Sequence, residues 1–280
     1  MLLSIIIPTY NSLSYLPAAI DSILKQGFTN YELLIMDNNS TDGSKDYIDQ
    51  IQKQDNRIKF FSGSDNGIYD AMNKGIALAG GQWLYFMGAD DRLADPGVLQ
   101  QLLPFLQQEW DMVYGDCTWM PEGKPEQGEW SYEQFIKVNI NHQRIFYKKK
   151  LFETYGGYHT QYKIAADHEL NIRFFCNNHI QKKYVPISIS LYHAGGFSAN
   201  KFDNAFWENW DAIILKNFKP HLSAKKIYGS LGTYIRHLAD EGKTMQALKL
   251  IGKNFIHTGS PGFIKLMLSY ILFSKKEYAG

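Results

Sequence analysis

The chain has 280 residues, 45% hydrophobic and 20% charged, an ordinary soluble composition that exceeds the needs of one small core. A formal net charge of +1 gives no global field to draw in nucleic acid. Two cysteines, Cys117 and Cys176, exclude a disulfide framework and a zinc site, and read as buried thiols in a reducing compartment. The apolar run from Leu2 to Ile7 is too short for a signal-peptide core, and no run approaches the roughly 18 apolar residues of a membrane span. A cytoplasmic location is the expectation.

Taken in chain order, "LLSIII" is an apolar, β-branched run ended by Pro8, which predicts a buried strand. In "SYLPAAIDSILKQG", Leu16, Ala19, Ile20, Ile23 and Leu24 recur at helical spacing and Gly27 closes the helix. "YELLIM" predicts a second strand ending at Asp37, then the turn cluster "NNSTDGS" and a helix with Tyr47, Ile48 and Ile51 on one face. "IKFF" predicts a third strand. "NGIYDAMNKGIALAGG" predicts a helix with Ile68, Met72, Ile76 and Ala79 on one face, and "QWLYFM" a fourth strand. Asp95 before Pro96 predicts a helix N-cap, and "DMVY" another strand. Strands alternating with helices predict an α/β fold with a mainly parallel sheet flanked by helices. Ligands of such sheets bind at the carboxyl ends of the strands, which places Asp37, Asp90 and Asp91 on one rim.

Beyond Tyr114 the pattern weakens. "WMPEGKPEQGEW" is loop or hairpin, and "NHQRIFYKKKLFETYGGY" a short apolar segment followed by a helix ended by Gly156 and Gly157. "ADHELNIRFFCNN" predicts a helix, and "KKYVPISISLYHAGGFS" a strand broken by Pro186 with a Gly-rich turn. From about Phe206 onward the chain reads as helical.

Adjacent carboxylates repel, and with Asp95 capping the next helix, Asp90 and Asp91 have no structural task. A divalent cation, Mn2+ or Mg2+, would relieve the repulsion with hard oxygen ligands. The other motifs each have a structural reading beside the functional one. Asp37 suits a base N–H or ribose hydroxyl, or forms a turn. Asn66, Asp70 and Asn73 suit a nucleotide, or Asn66 caps its helix. Asp167 in "AADHEL" suits a general base or an N-cap. His193 suits a metal or diphosphate contact, or a structural histidine.

In this order, "SIIIPTYN", "MDNNSTDGS", "DNGIYDAMNKGI", "FMGADD", "AADHEL" and "YHAGGFS" resemble the family 2 nucleotide-sugar glycosyltransferases of GT-A fold. The likeness is closest to the bacterial enzymes that build capsule, O-antigen or exopolysaccharide. It implies a Rossmann-like catalytic domain over residues 1–204 and a helical extension over 205–280. Pro8, Thr9 and Tyr10 match the stretch lining the nucleoside pocket, and Asp37 the base-reading carboxylate, usually for uracil. "ADD" matches the DXD motif, with Asp91 as metal ligand and Asp90 on the ribose or donor sugar. Asp167 matches the catalytic base, and His193 and Ser198 a loop that closes on the diphosphate. His193 is also a candidate metal contact.

Ala166 stands where the family often has Glu, which keeps Glu169 as a rival base. Asn38 and Asn39 follow Asp37 where Asp or Gly is often found. His142 and Gln143 fall on the acceptor side. The implied reaction inverts the anomeric centre. The hydroxyl of a saccharide or lipid-linked glycan attacks C1 of a nucleotide sugar, in the first instance a UDP-sugar, and Asp167 takes its proton.

Residues 205–280 lie outside the resemblance. Phe206, Trp210, Ile213 and Ile214 share one helical face; Ile227, Leu231, Tyr234, Ile235 and Leu238 share another. "GFIKLMLSYILFSKK" is apolar with lysines at its ends. Such faces predict helices packed on each other and on the catalytic domain; contact with the inner face of a membrane and homodimerisation stay open. A sugar nucleotidyltransferase needs a Gly-rich phosphate loop, which "PTYNSLSYL" lacks. A metal-dependent phosphatase needs Asp after the first strand, where "PTYN" stands. A non-catalytic nucleotide-sugar-binding module would keep Asp37 and Asp90 without needing Asp167.

Overall fold

In the computed structural model, β1 (Leu3–Thr9) is buried along its whole length. An apolar strand with no polar face belongs at the centre of a sheet covered on both sides. β2 (Tyr31–Asp37), equally buried, pairs parallel with it, and β3 (Ile58–Ser62) pairs parallel with β2. β4 (Trp83–Phe86) pairs parallel on the other side of β1. Helices α1 (Leu16–Leu24), α2 (Ser44–Gln52) and α3 (Ile68–Leu78) connect these strands in turn. The turn into β4 lies against β1: a Cβ on Gly81 would stand 2.6 Å from the Ser4 nitrogen. The structure describes residues 1–193, 195, 202–258, 261, 264–265 and 267–269.

After β4 come β5 (Arg92–Leu93), α4 (Val98–Leu106), β6 (Met112–Met120), β7 (Lys124–Glu126) and α5 (Tyr132–Phe135). A 3-10 turn (His142–Arg144) leads into β8 (Ile145–Lys148), α6 (Lys149–Tyr155), α7 (Ala166–Phe175) and β9 (Lys182–His193). Among the described residues nine strands form one sheet, in the order β3-β2-β1-β4-β8-β6-β9-β5, with β7 on β6. β8 runs antiparallel to both β4 and β6, while β9 returns parallel to β6. Tyr85 of β4 stacks on Phe146 of β8 with ring centroids 4.5 Å apart. Each such buried side chain stabilises the fold by about 1.5–3 kcal/mol.

Three local expectations are corrected. β1 continues through Pro8 to Thr9; β4 pairs no further along it than Ile6, so the missing N–H falls where one neighbour has left. Pro186 does not break β9. It falls where the register against β6 slips around Gly115, and such irregularities accommodate proline. Asp95 is not the N-cap of α4: Gly97 holds that position and donates its N–H to Asp95 Oδ1 at 2.7 Å.

The chain divides into two units, Met1–Trp130 with Asn139–Phe202, and Ser131–Val138 with Asp203–Gly280. The second contains α5, α8 (Asn204–Glu208), α9 (Trp210–Phe218), α10 (Ala224–Asp240) and α11 (Thr244–Thr258). Asp203 caps α8, accepting from the Phe206 N–H at 3.2 Å. α10 buries Ile227, Leu231, Tyr234, Ile235 and Leu238 at helical spacing. Ser230 Oγ of α10 donates to the carbonyl of Ile136 at 2.9 Å, and Lys226 pairs with Glu133. Among the described residues no helix is long and apolar enough to cross a membrane. Most of the apolar stretch expected over 262–276 lies outside the described residues, as does Ser198.

Candidate active site

The parallel strands deliver their acids to one rim. Asp37 ends β2, buried, and accepts from the Ser40 N–H at 3.1 Å and Ser62 Oγ at 2.7 Å. Beside it is a cavity of about 440 Å³, lined among others by Phe61, Ser62, Asp65, Ala71 and Lys74. Thr9 is in register with Asp37 on β1, and its buried Oγ1 has no hydrogen-bond partner. Pro8 is buried before it and Tyr10 is exposed after it. Gly67, not Asn66, is the N-cap of α3; Asn66 donates its N–H to Asp70 Oδ2 at 2.9 Å, and Asp70 pairs with Lys74 at 3.1 Å. Asn73 does not face this cavity group. Its amide is engaged at both ends by the Tyr158 backbone, at 2.9 Å each.

Asp90 and Asp91 follow β4. Asp91 is 1% exposed. Its Oδ2 accepts from the Gly88 N–H at 3.0 Å and Gln143 Nε2 at 2.6 Å, and its Oδ1 from the His193 N–H at 3.0 Å. Burial first, then the negative charge of Asp90, push the Asp91 carboxyl above the usual range. Asp90 is the more open of the two, and His193 Nδ1 stands 3.8 Å from its Oδ2. Both acids turn toward one notch: a Cβ on Gly88 would lie 2.6 Å from Asp91 Oδ2 and 2.8 Å from Asp90 Oδ1. Two converging carboxylates with uncompensated charge fit a hard divalent cation that completes its shell with phosphate oxygens. Among the described residues no third acid, histidine or cysteine joins them as a metal cluster.

Asp167 lies in the first turn of α7, 8% exposed. Its carboxylate accepts from Tyr69 Oη at 2.9 Å, Asn139 Nδ2 at 2.8 Å and His142 Nδ1 at 3.3 Å. Burial raises the pKa of this carboxyl, but the hydrogen bond and charge of His142, with the Tyr69 bond, outweigh it and hold the group below its ordinary value. Glu169, the rival base, is committed elsewhere, paired with Arg173 at 3.0 Å and His159 at 3.1 Å. Gln143 holds Asp91, and its neighbour His142 holds Asp167. Tyr69 and Asn139 were missed from the sequence. Tyr69 falls inside a motif already singled out, but Asn139 carries no pattern.

The same architecture recurs in solved structures. S. aureus TarS 1-349 in complex with UDP-GlcNAc superposes with a TM-score of 0.72 at 14% identity, covering 98% of this chain and 89% of that one. The mannosyltransferase PcManGT from Pyrobaculum calidifontis, in complex with GDP-Man and Mn2+, gives 0.60 at 16% identity, covering 98% and 85%. At such identities the likeness speaks for the fold alone, and the class it defines is the GT-A fold. The chain belongs to glycosyl transferase family 2, whose model matches residues 4–169. A PGL/p-HBAD biosynthesis glycosyltransferase of Mycobacterium bovis (strain BCG / Pasteur 1173P2) is 37% identical over 208 residues, 72% of this chain and 81% of that protein.

Proposed function

We propose that this glycosyltransferase moves a sugar from a nucleotide sugar, in the first instance a UDP-sugar, to a hydroxyl of a saccharide or lipid-linked acceptor, inverting the anomeric carbon. One observation carries the reading. Two consecutive residues of the 3-10 turn, His142 and Gln143, grip Asp167 and Asp91, so the acid of the proton-accepting centre and the acid of the donor side are held at a fixed spacing. Fixed spacing of reacting groups is what a single displacement needs. The cavity at Asp37 takes the nucleobase, and Pro8, Thr9 and Tyr10 follow at the neighbouring end of β1, where Thr9 is in register with Asp37. The Asp37 carboxylate, with Ser62, Asp65 and Lys74, supplies the polar groups of its lining.

Asp90 and Asp91 would hold Mn2+ or Mg2+. That ion, when bound, supplies neutralisation of the charge that develops on the departing diphosphate. His193, whose Nδ1 stands 3.8 Å from Asp90 Oδ2, would meet the diphosphate there. Asp167 would take the proton of the acceptor hydroxyl as general base. We place the chain in the cytoplasm; Met245, Leu248 and Ile256, exposed on α11, favour contact with a membrane surface or a second copy.

The test offers the purified chain with Mn2+ a panel of UDP- and GDP-sugars and measures release of nucleoside diphosphate. Slow hydrolysis of one donor, abolished by a chelator and in Asp91→Ala, is expected. Binding of no donor with metal present would sink the catalytic reading in favour of a degenerate binding module.

A further inference from the structure

The formal charge of +1 is the balance of two unlike parts. Residues 203–280 carry eleven lysines and arginines against six acids, and residues 1–202 eighteen against twenty-two. Such an asymmetry points to a partner of opposite charge for the basic part. Within that part, the run from Thr244 to Lys276 holds five lysines and no acid.

α11 opens that run and is apolar on two opposite sides. At about 3.6 residues per turn, Ala247 and Ile251 share one side, and both are buried. Met245, Gly252 and Ile256 share the other, with Leu248 beside them. There Met245 is 67% and Ile256 81% exposed. A helix that packs only on its own unit needs one apolar stripe and turns a polar back to water. The second stripe of α11 is edged by Lys249 and Lys253. Lys253 also reaches Asp211, 2.8 Å away, while Lys249 is exposed. A bilayer with anionic headgroups answers both features, since it takes up the apolar stripe and attracts the lysines. A second copy answers only one. α11 contains no acid, so two such faces laid together would set lysine against lysine.

We propose that α11 lies on an anionic phospholipid bilayer, with Met245, Leu248 and Ile256 sunk below the lipid phosphates and Lys249 level with them. This deepens the glycosyltransfer reading above and rests on it for one consequence: the acceptor is lipid-linked rather than a free saccharide. The bilayer contact itself stands on the charge and exposure of α11.

The test uses the full chain and vesicles of phosphatidylcholine, alone or mixed in equal parts with phosphatidylglycerol. Co-sedimentation should show binding to the mixed vesicles, weakened by added salt, and at least about tenfold weaker binding to pure phosphatidylcholine. Met245→Ser combined with Ile256→Ser should weaken binding at least about tenfold and leave Tm unchanged, because both side chains already face water. Lys249→Gln should cost about fivefold, and Lys53→Gln, just past α2, nothing. No binding to the mixed vesicles, or equal losses in Lys249→Gln and Lys53→Gln, overturns the proposal. So does a dimer in analytical ultracentrifugation that the double variant dissolves while vesicle binding is unchanged; the face then belongs to a second copy. Donor binding with Mn2+, over the same panel of UDP- and GDP-sugars, is read separately. Vesicle binding without any donor binding counts against the glycosyltransfer reading and leaves the bilayer contact in place. Donor binding without vesicle binding does the reverse.

Discussion

The rim just past β4 and the first turn of α7 each bury one acid, and one 3-10 turn holds both, yet their surroundings push them in opposite directions. Asp91 receives two backbone N–H groups and the amide of Gln143, all uncharged, and has Asp90 as its like-charged neighbour. Asp167 receives a phenol, an amide and an imidazole that can carry positive charge. Burial raises both; only Asp167 has enough compensation to end below its ordinary value. Burial alone therefore does not decide the charge of a site. The neighbour does: the first region leaves two like charges together, which on the proposed reading a cation would balance, while the second has its compensating ring built in.

Removing the acid that lacks compensation has the largest expected effect. Asp91→Ala should lower nucleoside diphosphate release by about 10²–10³-fold, the usual cost of losing one electrostatic stabiliser of developing charge. Next comes the cation itself. Mn2+ at 100 times its Kd should stabilise the fold by about 2.7 kcal/mol, read as a rise in Tm. The rise should vanish in Asp91→Ala and persist in Asp167→Asn; equal loss in both would erase the distinction between the regions. Gly88→Ala is subtler. Its methyl would press on both Asp90 and Asp91, so activity should fall roughly tenfold, about 1.4 kcal/mol of barrier, with Tm little changed.

The smallest effect is the pH dependence of stability. Asp167 has a lowered folded-state pKa, so its contribution is present above the unfolded value of about 3.9 and is lost as pH falls through the folded value. For Asp91, raised in the fold, ionisation costs stability, and the cost fades as pH falls through the folded value. Chemical denaturation across acid pH should therefore show Asp167→Asn flattening the acid loss of stability and Asp91→Asn steepening it. The same slope in both variants would contradict the assignment of opposite shifts.

The parallel half of the sheet was legible because β1, β2 and β4 are apolar runs with turn residues at their ends, and their ends carry Asp37, Asp90 and Asp91. Burial of both cysteines was legible from their small number, and burial pushes each thiol up to about 12. The antiparallel insertion was not. β8 is a short apolar run like many others, and nothing local says that it slots between β4 and β6. That slot brings His142 and Gln143 to the rim. Asn73 illustrates the same limit: its polar amide, within a motif that suits a nucleotide, is spent on Tyr158, 85 residues away. Asp95 and Pro186 were misread because proline signals carry two meanings, which only the register of β9 and the turn at Gly97 resolve.

The helical unit is not contiguous in the chain, and that bears on how the protein can be trimmed. Residues 131–138 sit in the middle of the sequence but cluster with the helices after Asp203. Phe135 and Ile136 are buried there, and Ser230 and Lys226 of α10 hold the segment by hydrogen bond and ion pair. A chain stopped at Phe202 would keep this segment and lose its partners, leaving two apolar side chains and a stranded carbonyl facing water. Such a fragment would self-associate during expression, and a smaller soluble catalytic unit calls for excising 131–138 together with the C-terminal helices.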